Sequence, residues 1–342
     1  MMKNVEMIIN EPVIPLSVAG GYWTGSSTIV DLLAEHSECT IVPEEFTLFS
    51  FGQFFQEVYS PLVTGSPPSD LFDKNLFRLC EFNRSDIYPL RAVFRRIFGL
   101  LGMYPKLFFS QRQNMKERLG GEYSKYCDRL VKALQDIRKT NGQYDISELH
   151  FLFNKVLEEA AKGADHADSR KHLKFGVFDQ LVAPPYIQDA SIAIPGLRYI
   201  NVDRDWRDQY VSMREPFRRM MARNRQLGVR PWDENLKDIE NSPIPFFLGL
   251  RKKINRVKEA QANGEMLWVW YEDVVLNRDV TAKKVFDFLD LDPTLWTPDQ
   301  YLHPEVSRKR IHKWKKGKWL ESPLKEELEI LGEELDGTGY EN

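Results

Sequence analysis

Five short apolar segments are spaced widely along the chain and alternate with segments of helical periodicity. The apolar segments cover residues 14–19, 39–42, 175–178, 197–202 and 267–270. Between or after them, residues 26–36 and 280–289 each carry apolar side chains on one helical face. Wide spacing with intervening helices is typical of parallel strands, which need crossover connections rather than hairpins. We therefore predict an α/β fold in which helices cover both faces of a parallel sheet, a three-layer arrangement.

The stretch from residue 51 to about residue 171 shows no clear strand pattern. Phe, Arg and Lys recur in it at helical spacing, and turn signals occur at residues 65–68 and at Gly120-Gly121. No internal repeat or long low-complexity linker divides the sequence. We predict one domain over residues 1–342, with residues 51–171 as a helical insertion in the α/β core.

The composition is that of an ordinary globular protein, with 42% hydrophobic and 28% charged residues. The net charge of -3 provides no overall basic field, so we expect no nucleic-acid partner. Charge is nevertheless uneven along the chain. Residues 307–319 carry seven Lys and Arg without an acid, and residues 321–342 carry eight acids against Lys325. The basic segment is therefore a candidate for binding an anion.

Other classes of protein are disfavoured by the cysteines, the histidines and the lack of long apolar runs. Cys39, Cys80 and Cys127 are scattered, which favours a reducing compartment. His166 and His172 lack the spacing of a helical metal pair, so we predict no metal site. The N-terminus has no continuous apolar core for a signal peptide, and no stretch reaches the roughly 20 apolar residues of a membrane span. We predict a cytoplasmic protein without a transmembrane segment.

The segment after the first predicted strand has the composition of an anion-binding loop. It begins with Gly20 and leads directly into the predicted helix at residues 26–36. Glycines let the backbone curl so that its N–H groups point inward, and the helix N-terminus adds partial positive charge. Side-chain hydroxyls can donate further hydrogen bonds. The candidate binding residues are Gly21, Tyr22, Trp23, Thr24, Gly25, Ser26, Ser27 and Thr28.

A second candidate anion site follows the fourth predicted strand. Residues 197–202 lead into Asp203-Arg204-Asp205 and then into a helix-like segment. Arg204 and Ser212 lie eight positions apart across that junction. With Arg204 at the strand end and Ser212 two turns along the helix, both side chains can face one small anion.

Two superfamilies use loops like the one after the first strand. Gly20 and Gly25 have the spacing of a Walker A loop, but Ser26 occupies the position of its lysine. A kinase or other NTPase would then lack the cation that spans the β- and γ-phosphates. The loop more closely resembles the 5′-phosphosulfate loop of sulfotransferases, whose pattern residues 24–27 match. Trp23 departs from that pattern, because an Arg or Lys is usual at its position.

The segment around Arg204 resembles the 3′-phosphate motif of the same superfamily. That motif has an Arg, then Asp or Asn, usually a Pro, and a Ser eight residues after the Arg; here Trp206 stands where Pro is usual. The two resemblances imply the sulfate donor 3′-phosphoadenosine 5′-phosphosulfate (PAPS), which carries phosphate at both ends of its adenosine. They also imply a P-loop NTPase-like sulfotransferase fold and transfer of a sulfuryl group to an acceptor hydroxyl.

The basic segment at residues 307–319 resembles the late loop that closes over the 3′-phosphate and the adenine of the donor in this superfamily. Clustered cations can neutralise a polyanion, and the indole of Trp314 could pack on adenine. Its candidate donor-binding residues are Arg308, Lys309, Arg310, Lys313 and Trp314. Residues 271–273 resemble a Tyr-Glu-Asp segment of many sulfotransferases, and we interpret Glu272 and Asp273 as organising a turn between strand and helix.

The general base is expected at the end of the second predicted strand. In carbohydrate sulfotransferases of the heparan type, a Glu at this place lies 22 positions after the loop cation, as Glu45 lies after Trp23. Glu45 is therefore the first candidate for removing the acceptor proton, and Glu44 is the second. His36 is a weaker candidate, because it lies at a helix end and could serve the helix dipole instead.

The acceptor is predicted to be a glycan hydroxyl, with a lipid or other small molecule as the second choice. Asp179 and Gln180, after the third strand, are candidates for orienting it, and the helical insertion is expected to select it. Two other functions stay open. One is a P-loop kinase or NTPase; the other is a non-catalytic nucleotide-binding protein of the same fold, which Trp23 would favour. The sequence leaves the oligomeric state undetermined.

Overall fold

A five-stranded parallel sheet forms the centre of the computed structural model. The structure describes residues 12–21, 24–45, 115–139, 145–164, 173–226, 243–260, 266–316 and 324–334. The strands are β1 (Ile14–Gly20), β2 (Cys39–Glu45), β3 (Phe175–Asp179), β4 (Arg198–Asp203) and β5 (Met266–Trp270). Their order is β2-β3-β1-β4-β5, and every neighbouring pair is parallel. The predicted α/β class and the five predicted strands are confirmed.

Helices occupy most of the described chain between the strands. They are α1 (Ser27–Ala34), α2 (Met115–Lys139), α3 (Ile146–Lys162), α4 (Ile187–Ala193), α5 (Trp206–Gln226), α6 (Pro243–Ala260), α7 (Tyr271–Leu276), α8 (Arg278–Leu289), α9 (Pro304–Ser307) and α10 (Leu324–Glu334). Short 3₁₀ turns cover Pro184–Tyr186, Pro293–Leu295, Arg308–Arg310 and Lys313–Lys315. The helices predicted at residues 26–36 and 280–289 are confirmed as α1 and α8.

The two faces of the sheet carry separate apolar cores. Because successive side chains of a strand point to opposite faces, Tyr199 of β4 packs into one core and Ile200 into the other. The first core contains residues of α2, α3 and α4, among them Leu134 and Phe153. The second contains residues of α1, α7 and α8, among them Leu32. Burial of each such side chain contributes about 2 kcal/mol, and together these contacts hold the sheet between two layers of helices.

Helices α2 and α3 lie in the region predicted as a helical insertion. Much of that region, residues 51–114 included, lies outside the described residues, as does the turn predicted at residues 65–68. Gly120 interrupts α2 with a φ of 85° and a ψ of 178°, at the position of the turn signal in the sequence. Helix α3 packs directly on the sheet, and the methyl group of Ala161 fills the space that a side chain at Gly176 would need. Helix α3 thus covers the sheet, whereas the insertion itself stays a prediction.

The structure corrects the interpretation of residues 271–273. They begin the short helix α7 directly after β5 and form no open turn. Glu272 and Asp273 lie in its first turn, where carboxylates complement the partial positive charge of a helix N-terminus. Sequence periodicity did not reveal α7 because its six residues span less than two helical turns.

Glu35, directly after α1, holds the segment that leads into the basic residues 307–316. One of its carboxylate oxygens accepts backbone hydrogen bonds of 3.0 Å from Gln300, Tyr301 and Leu302. The other accepts the indole N–H of Trp296 at 3.0 Å. A buried carboxylate with this many donors fixes the path of the chain toward the candidate site. None of the described helices combines the length and the apolar character that a membrane crossing requires.

Candidate functional site

The candidate site lies at the carboxyl edge of the sheet, where β1, β3 and β4 end side by side. The strand order changes direction at β1, since β2 and β3 lie on one side of it and β4 and β5 on the other. In open α/β sheets, ligands bind in the crevice outside the strand ends at such a point. Gly20 lies opposite Val202 in the register of β1 and β4. The loop after β1 and the turn after β4 therefore begin side by side at the carboxyl edge of the sheet.

The loop after β1 has the backbone geometry of an anion-binding turn. Gly25 takes a φ of +86°, a left-handed conformation that favours glycine. Helix α1 begins two residues later at Ser27. The backbone N–H and the hydroxyl of Thr28 both donate to the Gly25 carbonyl, at 3.0 and 2.8 Å. Two of the predicted loop residues, Tyr22 and Trp23, lie outside the described residues.

Ser26, at the position of a Walker A lysine, is bonded to the end of β3. Its hydroxyl donates to Asp179 Oδ1 at 3.0 Å and accepts a hydrogen bond from Gln180 Nε2 at 2.8 Å. Gln180 takes a φ of 60° directly after the strand. The two residues predicted to orient an acceptor thus contact the loop after β1, and their role toward an acceptor stays a prediction.

Thr24 offers a buried hydroxyl inside the same loop. Its backbone N–H donates to the Gly21 carbonyl at 3.2 Å, and the residue is 1% exposed. Its Oγ1 has no hydrogen-bond partner within the described part of the chain. Buried polar groups are normally hydrogen-bonded, so this hydroxyl is suited to an oxygen of a bound anion.

Arg204 and Ser212 are brought together as their spacing predicts. Arg204 follows β4 and Ser212 lies on α5, and Arg204 Nη1 donates to Ser212 Oγ at 3.4 Å. Arg204 is only 3% exposed. Its backbone N–H donates to Asp203 Oδ1 at 3.0 Å, which closes the turn between strand and helix. The binding role of the pair stays a prediction.

The first part of the basic segment folds over Arg204. Arg204 Nη2 donates to the Arg310 carbonyl at 2.7 Å, and its guanidinium lies 4.7 Å from the ring centre of Tyr271. The Tyr271 hydroxyl in turn donates to the Ser307 carbonyl at 3.0 Å. The side chains of Arg308, Lys309 and Arg310 are exposed. The backbone of this segment is thus fixed, while its cations remain accessible to a ligand.

The second part of the basic segment is anchored on the first turn of α5. The backbone N–H of Trp314 donates to Asp208 Oδ1 at 2.9 Å, and the guanidinium of Arg207 lies 4.2 Å from the Trp314 ring centre. Burial raises the pKa of Asp208, and the hydrogen bond from Trp314 and the charge of Arg204 oppose the rise. Lys313 and Trp314 are half-buried. The predicted late loop therefore lies beside the Arg204–Ser212 pair.

Glu272 is a titratable group next to Arg204. Its Oε1 accepts the backbone N–H of Asp205 at 3.1 Å. Burial raises the pKa of Glu272 from 4.5 to about 7, although hydrogen bonds from backbone N–H groups and the charge of Arg204 favour the ionised form. The sequence interpretation of Glu272 as an organiser of local structure agrees with the Asp205 contact. Its influence on the charge around Arg204 was not apparent from the sequence.

The candidate general bases are placed by the backbone alone. Glu45 ends β2 in register with Asp179, and the side chains of Glu44 and Glu45 lie outside the described residues. His36 is a poor candidate, because its Nε2 bonds the Asp292 carbonyl at 2.9 Å and its Nδ1 accepts the backbone N–H of Glu38 at 3.2 Å. Both ring nitrogens of His36 thus serve the fold.

Sequence reasoning missed Arg251 of α6. It is 0% exposed and forms an ion pair with Asp203, the last residue of β4. The two residues are 48 positions apart, and an Arg in a helix that is rich in basic residues carries no signal of burial. Within the described ranges, no three or more His, Cys, Asp or Glu side chains are grouped so as to hold a metal ion.

Comparisons with known proteins found similar structures only. No family model matches the sequence, and no curated protein matches it. A sulfotransferase domain from the curacin biosynthetic pathway matches with a TM-score of 0.43 and 15% identity, over 95% of this chain and 98% of that one. A sulfotransferase from Mycobacterium avium matches with a TM-score of 0.41 and 12% identity, over 95% of this chain and 76% of that one. A sulfotransferase domain from the Synechococcus olefin synthase matches with a TM-score of 0.44 and 14% identity, over 97% of this chain and 96% of that one.

Proposed function

We propose that this protein is a sulfotransferase that uses PAPS as its donor. The observation that carries the proposal is that two candidate anion sites lie at neighbouring strand ends. One is the loop of residues 24–28 after β1, and the other is the Arg204–Ser212 pair after β4. Because β1 and β4 are hydrogen-bonded neighbours, one nucleotide can reach both sites. A phosphate at each end of the adenosine is the property that distinguishes PAPS from ATP.

The described groups suit the two ends of this donor. At the 5′ end, backbone N–H groups and hydroxyls of residues 24–28 would bind the phosphosulfate, and Thr24 has a buried hydroxyl to offer. The hydroxyls of Ser26 and Thr28 would first exchange their present bonds to Asp179 and to the Gly25 carbonyl. At the 3′ end, Arg204 and Ser212 would bind the phosphate, since their 3.4 Å contact leaves both side chains able to turn toward an oxygen. The residues that would lie over the 3′-phosphate and the adenine are Arg308, Lys309, Arg310, Lys313 and Trp314.

The reaction would be an in-line transfer of the sulfuryl group. A bond forms between the acceptor oxygen and sulfur, and the bond between sulfur and the bridging phosphate oxygen breaks. The acceptor proton goes to a carboxylate at the end of β2, with Glu45 preferred and Glu44 second. Adenosine 3′,5′-bisphosphate leaves with the bridging oxygen. The spacing of Glu45 from Trp23 makes a carbohydrate hydroxyl our preferred acceptor, followed by a hydroxyl on another small molecule.

Two observations bear on the alternative functions. Ser26 replaces the Walker A lysine and is bonded to Asp179 and Gln180, which disfavours a kinase or NTPase. Trp23 replaces the usual loop cation, which favours a protein that binds the nucleotide without turnover. That second candidate predicts binding of adenosine 3′,5′-bisphosphate but no sulfated product with any acceptor.

The test is a thermal-shift comparison of adenosine 3′,5′-bisphosphate with AMP, ADP and ATP. We expect the bisphosphate to raise the melting temperature most, since a ligand at 100 times its Kd adds about 2.7 kcal/mol of stability. Arg204→Met should abolish the preference for the 3′-phosphate. Arg198→Met is the matched control, because Arg198 is exposed at the opposite end of β4.

Equal shifts with AMP and the bisphosphate would contradict the proposal. So would ATP binding that depends on Mg²⁺ and persists in Arg204→Met, which is the behaviour of a kinase. A preference for the bisphosphate that the control retains and Arg204→Met loses would establish the 3′-phosphate site. Incubation with PAPS and a panel of sugars then separates an enzyme from a binding protein.

A further inference from the structure

Arg251 is a buried cation whose hydrogen-bonding capacity is only partly used. Its Nη1 pairs with Asp203 Oδ1. Its Nε and Nη2 are buried and have no hydrogen-bond partner among the residues that the structure describes. A guanidinium donates through five N–H groups, and a buried donor without an acceptor is costly. The protein thus retains a buried positive group with donors to spare.

Arg251 is connected to both candidate anion sites through its neighbours and its partner. Its neighbours on α6, Leu250 and Ile254, face Gly21: a side chain at Gly21 would lie 3.7 Å from Leu250 Cδ2 and 3.1 Å from Ile254 Cδ1. Its partner Asp203 directly precedes Arg204 in the turn after β4. Arg251 therefore lies on the part of α6 that packs near the start of the loop after β1, and it pairs with the residue that precedes Arg204.

A second unsatisfied group occurs on the same face of β4. Asn201 is two residues before Asp203, so both side chains point to one face of the sheet. Asn201 is 1% exposed, and neither atom of its amide has a hydrogen-bond partner within the described part of the chain. Buried polar groups without partners are rare in folded proteins. The Arg251 guanidinium and the Asn201 amide both lie near the end of β4. Together they indicate a site where a polar ligand would supply the missing hydrogen-bond partners.

The charge balance of the site indicates which ligand group that is. Residues 20–28 contain no Lys or Arg, so the loop can offer only backbone dipoles and hydroxyls to an anion. Among the described residues whose exposure is given, the two buried arginines are Arg204 and Arg251. Arg204 is already bonded to Ser212 and to the backbone of the basic segment. Arg251 is the buried cation that remains for the 5′ end.

We infer that Arg251 is the cation of the 5′-phosphate site, donating from Nε and Nη2 to the anionic group that the loop after β1 binds. This inference rests on the proposed function for the identity of that group, the 5′-phosphosulfate of the donor. Asp203 holds the guanidinium in place and offsets part of its charge. A cation supplied by α6 would take the place of one within the loop.

The test measures whether the effect of Arg251 depends on a 5′-phosphate. Removing Arg251 alone would leave Asp203 buried without a partner and could unfold the protein. The variant is therefore Asp203→Asn/Arg251→Met, and its matched control is Asp203→Asn, whose amide oxygen can still accept hydrogen bonds from the Arg204 N–H and from Arg251 Nη1. Calorimetry at one salt concentration compares two ligand pairs: adenosine 3′,5′-bisphosphate with 3′-AMP, and 5′-AMP with adenosine.

We expect the double variant to bind adenosine 3′,5′-bisphosphate at least about ten-fold more weakly than its control, the loss of a charge-assisted hydrogen bond. It should bind 3′-AMP as the control does. If the two variants bind the bisphosphate equally, or if bisphosphate and 3′-AMP weaken by the same factor, Arg251 has only a structural role and the inference fails. Thermal melting of both variants confirms that each is folded.

The second ligand pair separates this inference from the proposed function. If the wild type shows no preference for a 3′-phosphate, the PAPS proposal fails. In that case the ratio of 5′-AMP to adenosine affinity still reports on Arg251. A ratio that falls in the double variant relative to Asp203→Asn supports the 5′-phosphate cation, and an unchanged ratio overturns it.

Discussion

Arg204 shows how one side chain can be both buried and available to a ligand. Its guanidinium contacts Ser212, the Arg310 carbonyl and the ring of Tyr271. These three groups are a hydroxyl, a backbone carbonyl and a π face, which attract the cation without cancelling its charge. A cation bound in this way keeps its attraction for an anion. The charge of Glu272 interacts with that of Arg204, so ionisation of Glu272 reduces this attraction.

Glu272→Gln should make the protein more stable at high pH. Burial raises the pKa of Glu272 from 4.5 to about 7, so the folded state binds more protons than the unfolded state between these values. The free energy of unfolding therefore falls as pH rises through that range. At pH 8 the variant should be more stable than the wild type by up to about 3 kcal/mol, and at pH 4 the difference should vanish.

Urea denaturation at several pH values measures this difference, and Glu122→Gln on the exposed surface of α2 is the control. A wild type and a Glu272→Gln variant with parallel pH profiles would show that Glu272 titrates normally. The affinity for a 3′-phosphorylated nucleotide provides a second readout. It should fall in the wild type as pH rises past 7, because ionised Glu272 offsets the charge of Arg204, and it should be flatter in the variant.

Single residues were predictable where the chemistry is local. The pairing of Arg204 with Ser212 follows from eight positions across a junction of strand and helix. The contact of Ser26 with Asp179 spans 153 positions, and no local pattern encodes it. Glu272 was identified as an organiser of the chain, but its shifted pKa depends on burial by elements far away in sequence.

At the scale of elements, the loop after β1 and the helix α7 form one unit. A side chain at Gly25 would lie 2.7 Å from the ring of Tyr271, and the guanidinium of Arg204 lies 4.7 Å from the centre of the same ring. Tyr271 therefore connects the loop to the turn after β4. Because α7 begins at Tyr271, the end of β5 determines where this ring stands.

Gly25→Ala should lower both stability and nucleotide affinity. The substitution places an alanine at a φ of +86° and forces its methyl group against Tyr271. Gly196→Ala is a matched control, since Gly196 has a φ of +87° and no atom within 4 Å of its missing side chain. We expect a loss of about 1 kcal/mol for the control and a further 1–3 kcal/mol, roughly, for Gly25→Ala because of the overpacking.

Denaturant unfolding measures both losses, and thermal shift with adenosine 3′,5′-bisphosphate measures the affinity. Equal losses of stability in the two variants would mean that the Tyr271 ring moves aside at no energetic cost.

The strands themselves were predictable, because buried parallel strands leave continuous apolar runs. Helix α7 was not, because six residues are too few for a periodic signal.

At the scale of the whole molecule, the acidic C-terminal segment returns to the site. Glu327 of α10 accepts hydrogen bonds from the Tyr210 hydroxyl and from Arg214 Nε, the latter at 3.0 Å. Both partners lie on α5, two positions before and after Ser212. Helix α10 thus braces the helix that carries half of the candidate 3′-phosphate site, although its sequence indicated only an acidic tail.

Glu327→Gln should destabilise the protein by about 1–2 kcal/mol, because it weakens two hydrogen bonds to a partly buried charge. Glu329→Gln on the same helix is the control, since the Glu329 side chain is 61% exposed and pairs with the exposed Lys325 at 3.5 Å. Its effect should stay within about 0.5 kcal/mol. Chemical denaturation of both variants measures the free energy of unfolding. Similar losses for the two would show that the contacts of Glu327 with α5 do not stabilise the protein.

The sequence by itself determined the strands, the main helices between them, the glycine loop and the Arg204–Ser212 spacing. Each of these features is encoded by residues that lie close together in the sequence. Only the tertiary structure decided which distant groups surround these motifs. Asp203 meets Arg251 over 48 positions, Asp205 meets Glu272 over 67, and Arg214 meets Glu327 over 113. The physical reason is that burial and electrostatic partners are properties of packing. They set the charge of the site, and the order of the residues along the chain does not contain them.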